Sequence, residues 1–344
     1  MNVRVPATRP TIKDVAQRAE VSLSTVSAVL NATAPASQAT RLRVLAAVAE
    51  LGYEPNSQGR NLKRKRSHAI GLIVPDVLNP FFALVAEGIG DEARRRDYVL
   101  VLCSTDSDAE REASFARLLR ARRLDGIVHL SGTGLPPAAL LELASGSPVV
   151  TVDERVPGLT GPFVGSDNRR GARLAAELAV ARGHRCFGIV AGPTGLWTAE
   201  QRLAGYREAL AAAGVDPDTV ATVRGDYRLE SGRAAAATLL AGEPGRRPTA
   251  LLVANDLMAI GCIQQALSLG IDLPGELGVI GYDDIPLATM VTPALTTVRQ
   301  PARKMGRVAA ELLLDGIDGR DVPASVDLPP TVVERDSLVE AVAR

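Results

Sequence analysis

The 344-residue sequence carries no net charge, because its 39 basic and 39 acidic side chains cancel. Taken alone, that balance argues against a nucleic-acid partner. Cysteine is scarce: Cys103, Cys186 and Cys262 are far apart, odd in number and set in apolar sequence. They fit neither a disulfide framework nor a zinc site, so buried free thiols in a reducing compartment are expected. No stretch reaches the roughly 18 apolar residues that a membrane span needs. The opening "MNVRVPATRP" is polar, with two prolines and no apolar core, unlike a secretory signal. No membrane association and a cytoplasmic location are expected. Catalytic patterns are missing as well. There is no Ser/His/Asp order, no metal-ligand cluster and no phosphate-binding glycine loop, and the "GTG" at 132–134 is followed by two prolines. No enzymatic activity, cofactor or metal is expected.

What is present is unevenly spread. Residues 1–68 hold eleven Lys or Arg against four acids, a balance of +7, which leaves −7 on residues 69–344. A basic head on an acidic body is the layout of a nucleic-acid-binding domain joined to something else. The head reads as three short helices. "TIKDVAQRA" opens on Thr11 with Asp14 three residues on, and Ile12, Val15, Ala16 and Ala19 share one face. "SLSTVSAVLN" is capped by Ser22 and buries Val26, Val29 and Leu30. "SQATRLRVLAAVAELGY" is capped near Ser37, buries Leu42, Leu45, Val48 and Leu51, and stops at Gly52. A segment without apolar periodicity follows, ending in the dense "KRKR" run.

From Ala69 the texture changes. Apolar β-rich runs such as "AIGLIVP", "YVLVLC", "DGIVHL", "CFGIVA", "TALLVA" and "LGVIGY" alternate with helical stretches rich in Ala, Leu and Arg. Runs of this kind indicate buried parallel strands in βα units, and their number over about 270 residues suggests two sheets. The chain is expected to cross between lobes near "GPFVGSDN", residues 161–168.

The first two helices are joined by the tight "AEV" turn, the arrangement of a helix-turn-helix. With Val26, Val29 and Leu30 inward, Ser24, Ser27, Ala28 and Asn31 face out, with Leu23 and Thr25 on the flanks. Small polar groups suit a helix that enters a major groove about 12 Å wide, and hydroxyls can donate to phosphates without the bulk of Arg. A solvated face of a small bundle would look the same.

"TIKDVAQRAEVSLSTVSAVLN" followed by "TRLRVLAAVAELGYEPN" resembles the N-terminal domain of the LacI/GalR family of bacterial transcription regulators. The likeness continues through "IGLIVPDVLNPFF", "PVVTVDER", "VGSDNRRGARLAAELAVARGHR", "VANDLMAIG", "GVIGYDD" and "TPALTTVRQP", over about 330 residues in order. The resemblance implies an α/β chain with a three-helix helix-turn-helix head (1–56), a hinge helix and linker (57–68) and an effector-binding and dimerisation body (69–344). The body would be two-lobed and periplasmic-binding-protein-like, with doubly wound parallel sheets. Its lobes are expected at about 69–163 with 294–322 and about 164–293 with 323–344.

The same resemblance assigns roles. Leu23, Ser24 and Ala28 take base-reading positions; Thr11, Ser22, Thr25, Ser27 and Asn31 lie at or beside backbone-contacting ones. "NSQGRNL", with Asn56, Gly59, Arg60 and Leu62, matches a hinge helix that orders on DNA, Leu62 wedging into the minor groove. Three positions depart from the family pattern. Ala28 replaces a common arginine, so the usual operator is in doubt, since alanine can meet a thymine methyl but not the guanine edge. Glu20 stands where the turn usually has Gly or Asn, at a cost on the order of 1 kcal/mol if its φ is positive. Gly59 replaces an alanine in the hinge, at about 1 kcal/mol of helix propensity.

In the body, Arg202 and Asp283 match the family's cleft pair, Phe81 and Phe82 its wall, and Tyr227 an aromatic that packs on the ligand. Asp76, Ser131, Asp153, Asn255 and Asp256 lie at strand ends, and Trp197, the only tryptophan, could stack on a sugar face. Asp256 could equally cap the helix that follows it. His129 and His184 read as structural.

The function implied is a sequence-specific transcriptional regulator, a repressor working as a homodimer on double-stranded, pseudo-palindromic operator DNA. A small-molecule effector, a sugar or related metabolite, would bind between the lobes. The rival readings are a solute-binding protein, opposed by the missing signal and the basic head, and a cytoplasmic sugar-binding α/β enzyme.

Overall fold

The computed structural model describes residues 10–31, 34–53, 66–122, 124–132 and 138–341. The chain divides into two compact units, Met1–Ser67 and His68–Arg344. No helix among the described residues is long and apolar enough to cross a membrane.

The first unit contains α1 (Ile12–Arg18), α2 (Leu23–Asn31) and α3 (Gln38–Leu51). Each start has a local cause. The Asp14 carboxylate accepts from the Thr11 N–H at 2.6 Å and its hydroxyl at 2.7 Å, bonds that hold its pKa below the ordinary carboxylate value. Ser22 Oγ accepts from the Thr25 N–H at 3.1 Å, and Ser37 Oγ from the Thr40 N–H at 3.2 Å. α3 stops at Gly52, whose φ of 59° is left-handed. Val15, Ala16, Ala19, Val26, Val29, Val44, Ala47 and Tyr53 form the core, with Leu30, Val48 and Leu51 packed against it. The expected face of α3 needs correcting. Val48 and Leu51 pack against the core as expected, but Leu42 and Leu45 are 62% and 46% exposed, and Val44 and Ala47 turn inward in their place. α3 carries two neighbouring apolar stripes, and periodicity cannot choose between them. Tertiary packing does.

The second unit is built of two six-stranded sheets. Its elements in chain order are β1 (Ala69–Val74), α4 (Pro80–Arg95), β2 (Val99–Ser104), α5 (Ala109–Ala121), β3 (Gly126–His129), α6 (Ala138–Ala144), β4 (Val149–Val152), β5 (Phe163–Ser166) and α7 (Asn168–Ala181). Then come β6 (Phe187–Ala191), α8 (Trp197–Ala212), β7 (Ala221–Arg224), α9 (Leu229–Leu239), β8 (Ala250–Val253), α10 (Asp256–Ser268) and β9 (Gly278–Asp283). β10 (Thr296–Arg299), α11 (Ala302–Ile317), β11 (Ser325–Leu328) and β12 (Thr331–Val333) complete it.

The first sheet runs β11-β5-β4-β3-β1-β2 with parallel pairing throughout. The second runs β12-β10-β9-β8-β6-β7, parallel except where β12 meets β10. α11 packs on α4 in the first lobe, so closely that a Cβ on Gly88 would lie 2.1 Å from the Arg303 carbonyl oxygen. The crossings therefore fall after Ser166, within the expected 161–168 stretch, and after Arg299 and Leu328, later than expected. β10 belongs to the second sheet and β11 to the first, the reverse of the sequence assignment. A strand of four residues fits either sheet by hydropathy, and only the neighbour that completes its ladder decides.

Among the described residues the cysteines are free. Cys103 and Cys262 are buried as expected, whereas Cys186 is exposed.

Candidate functional site

On the outer side of α2, Leu23 is 45% exposed and Ser22 and Ser24 are open to solvent, while Thr25, Ser27 and Ala28 are partly covered. The hydroxyls at the helix start bond to one another: Ser22 Oγ lies 2.7 Å from Ser24 Oγ and 2.8 Å from Thr25 Oγ1. The face is small, uncharged and pre-ordered. Glu20 has φ 53°, so the left-handed strain anticipated for the turn is present. Asn56, Gly59, Arg60 and Leu62 lie outside the described residues.

In the body, the carboxyl ends of the strands from both sheets converge on a crevice, the place where open α/β sheets bind ligands. Its lining includes Asp76, Phe82, Ser131, Asp153, Glu154, Leu196, Thr198, Asp226, Tyr227 and Arg228. Arg202 sits behind it on α8, 3% exposed. The guanidinium donates to Asn168 Oδ1 at 2.7 Å and the Ala254 carbonyl at 2.6 Å, lies 3.4 Å from Asp283 Oδ1, and stacks 3.9 Å from the Tyr282 ring centroid. Burial alone would favour loss of its proton, but the Asp283 carboxylate outweighs that and holds its pKa above the ordinary value.

Asp283 also accepts from Gln300 Nε2 at 2.8 Å, and burial pushes its pKa up against the pull of Arg202 and Gln300. Asp153 is 9% exposed, and its Oδ1 has no hydrogen-bond partner. Burial raises its pKa too, with Arg202 opposing. Asp153, Tyr227 and Asp283 have φ of 66°, 69° and 111°. Left-handed backbone at non-glycine residues costs on the order of 1–3 kcal/mol each, and such strain gathers where function fixes geometry.

Several expected contacts stand elsewhere. Phe81 is 2% exposed and belongs to the core of the first lobe; Asn79 Oδ1 accepts its N–H and caps α4, which turns residue 81 inward and leaves Phe82 at the wall. Asp256 is fully buried, its carboxylate accepting from the Ile285 N–H at 2.8 Å and the Thr297 hydroxyl at 2.5 Å. It ties α10 to the second sheet, and Asn255 is the residue that caps that helix, accepting from the Met258 N–H at 3.0 Å. Trp197 packs edge-on to Phe163, centroids 6.1 Å apart, with the Arg155 guanidinium 5.3 Å from its ring. His129 is buried against Glu112 at 2.7 Å, and His184 meets Thr249 Oγ1 at 3.0 Å. Both are structural, as read from the sequence.

Comparison with known proteins accounts for both parts. Residues 11–56 match the description "Bacterial regulatory proteins, lacI family", and residues 176–338 match "Periplasmic binding protein-like domain". The chain is 37% identical over 323 residues to the HTH-type transcriptional repressor CytR of Escherichia coli K12, covering 94% of each. It superposes on the lac repressor dimer bound to operator and the anti-inducer ONPF with a TM-score of 0.85, at 29% identity, covering 96% of this chain and 100% of that one. The transcriptional regulator CelR in complex with cellobiose gives 0.72 at 32% identity, with the same coverage of each chain.

The chain belongs to the LacI family of bacterial regulatory proteins. As a LacI-family member it is a DNA-binding transcription regulator, and its curated relatives are repressors rather than enzymes. Its fold is the family's, a helix-turn-helix head and a two-lobed periplasmic-binding-protein-like body.

Sequence reasoning missed Glu154, Thr198, Asp226 and Arg228 as crevice residues. For Asp226 a signal existed, since it ends the β7 run beside Tyr227. For Glu154 there was only adjacency to Asp153.

Proposed function

We propose that this LacI-family regulator is a dimeric repressor whose hold on a pseudo-palindromic operator is set by a small hydroxylated ligand, a sugar or related metabolite, bound in the crevice. The observation that carries the reading is Asp153: a buried carboxylate oxygen without a partner, in a crevice shared with Tyr227 and backed by the Arg202–Asp283 pair. An unpaired buried acceptor costs about 1–3 kcal/mol, and a ligand hydroxyl that donates to it recovers that cost. The cellobiose complex of CelR is consistent with such a ligand.

Arg202, Asp283 and Tyr227 orient the ligand, and Asp76, Phe82 and Ser131 line its walls. In the head, Leu23, Ser24 and Ala28 read base edges, Thr11, Ser22, Thr25, Ser27 and Asn31 meet the phosphate backbone, and Asn56, Gly59, Arg60 and Leu62 act in the minor groove. One head reads a half-site, so two are required. Apolar Val99 and Leu102 on the edge strand β2, 64% and 44% exposed, together with Leu267 and Met290, suit the dimer contact. Ligand and operator then bias one conformational equilibrium reciprocally, in the cytoplasm where the DNA is.

The test is selection of bound sequences from random DNA by the full chain, followed by gel shift at fixed salt with a panel of sugars and nucleosides. A member of the panel should shift operator affinity, and Asp153→Asn should abolish that shift while leaving unliganded operator binding intact. Leu62→Ala should lose operator binding yet still dimerise. If no panel member alters operator affinity or the melting temperature, the effector reading fails; if Leu62→Ala binds as wild type, the hinge assignment fails.

A further inference from the structure

α8 begins in the second lobe at Leu196, an N-cap residue with no side-chain oxygen to offer its first N–H groups. The missing acceptor comes from the other lobe. Glu154, on the loop after β4, takes the N–H of Trp197, the N–H of Thr198 at 3.2 Å and the Thr198 hydroxyl at 2.8 Å. It is 3% exposed. Next to it, Arg155 lies 3.9 Å from the Phe163 centroid, and Phe163 meets Trp197 edge-on, so a second contact joins the lobes at the same place. On the opposite rim, Arg228 reaches Asp106 and, at 3.7 Å, Asp76, but that pair is about half exposed and correspondingly weak.

We propose that Glu154 is a cross-lobe positioning residue: by capping α8 from the first lobe it sets how far the lobes close and where the helix bearing Arg202 stands. A side-chain carboxyl at a helix N-terminus supplies the acceptor oxygens that the unpaired N–H groups lack. Arg202 lies one turn beyond Thr198, so any shift of the α8 start is passed to the guanidinium behind the crevice. The latch is made by this chain alone and does not rest on the effector reading.

The latch also responds to protons. Burial pushes Glu154 up to about 7, with Asp153 adding to the rise and the bonds from Thr198 and Trp197 opposing it. Around it, Arg155 is held over Phe163, Glu200 on α8 pairs with Arg224, Arg202 is committed to Asp283, and Arg228 to Asp106; Asp226 shares the crevice lining. The pKa is higher with the lobes together than for an exposed glutamate. Closure therefore takes up a proton: it strengthens as pH falls below about 7 and weakens as pH rises past it.

The test uses the full-length protein without DNA or ligand. Trp197 is the only tryptophan, so its emission and its quenching by acrylamide report this junction alone. In the wild type, quenching should increase several-fold between about pH 5 and about pH 8. Glu154→Ala should be readily quenched across that range, with a larger radius of gyration in solution scattering. Glu154→Gln, which keeps shape and one acceptor, should give a flat pH profile, and it decides the matter if the alanine variant fails to fold. A wild-type pH response that persists in Glu154→Gln, or a folded Glu154→Ala with unchanged quenching and radius, overturns the proposal.

Discussion

In the head, the side chains assigned to base reading, Leu23, Ser24 and Ala28, stand on one nine-residue helix, with Leu23 45% exposed and the hydroxyls of Ser22, Ser24 and Thr25 bonded to one another. In the body, the pair assigned to the ligand is 3% and 5% exposed, and Asp283 of that pair sits in left-handed backbone together with its neighbours Asp153 and Tyr227. One surface is inexpensive to build and faces a partner that supplies the charge. The other buries charge and strain and depends on its surroundings to hold both. Mutations should therefore separate the two regions: crevice changes act on the stability of the body, whereas changes on the α2 face act on recognition.

The sharpest break comes from Arg202→Ala, which leaves Asp283 buried without its cation. Removing one partner of a buried pair costs about 3–5 kcal/mol. Calorimetry should show the body melting much earlier while the transition of the head stays in place; an unchanged body would mean that the pair contributes nothing. Next is Val26→Ala, fully buried beneath the recognition face. It should cost the head about 2 kcal/mol, reducing operator binding while Trp197 emission from the body stays the same.

Smaller is Glu20→Gly. It relieves left-handed strain of about 1 kcal/mol, partly offset by the looser unfolded chain, for a net gain below about 1 kcal/mol. In the crevice, Asp153→Gly relieves similar strain but deletes the orphan acceptor, so ligand response should vanish where the head only gains stability. The smallest effect belongs to Leu42→Ser. On an exposed face it should change stability by less than about 0.5 kcal/mol; a loss near that of Val26→Ala would restore the buried placement read from periodicity.

The head was legible because its information is local. Caps at Ser22 and Ser37 and the stop at Gly52 were all found, and the buried side of α2 follows from spacing alone. It failed at α3, where Leu42 and Leu45 form a second apolar stripe that only contact with α1 and α2 rejects. In the body, the strand ends gave Asp76, Ser131 and Asp153 their places, because apolar runs announce where a strand stops, whereas Tyr227 and Asp283 came from the family resemblance. Phe81 and Phe82 were indistinguishable until the Asn79 cap fixed which ring turns inward. Glu154 was beyond reach: its partner lies 44 residues further on, in the other lobe.

The late crossings bear on how the molecule is made. The first lobe begins at β1 but lacks α11 and its edge strand β11 until Leu328 has been added. By then β6, β7, β8, β9 and β10 of the second sheet are already in hand. On the ribosome the two sheets are thus completed within a few residues of each other, β11 closing the first just before β12 closes the second, and no continuous fragment of the chain contains either lobe complete and by itself. Truncation from the C-terminal side should therefore strip β12 from the edge of the second sheet, and then β11 and α11 from the first, before it removes anything from the middle of the second.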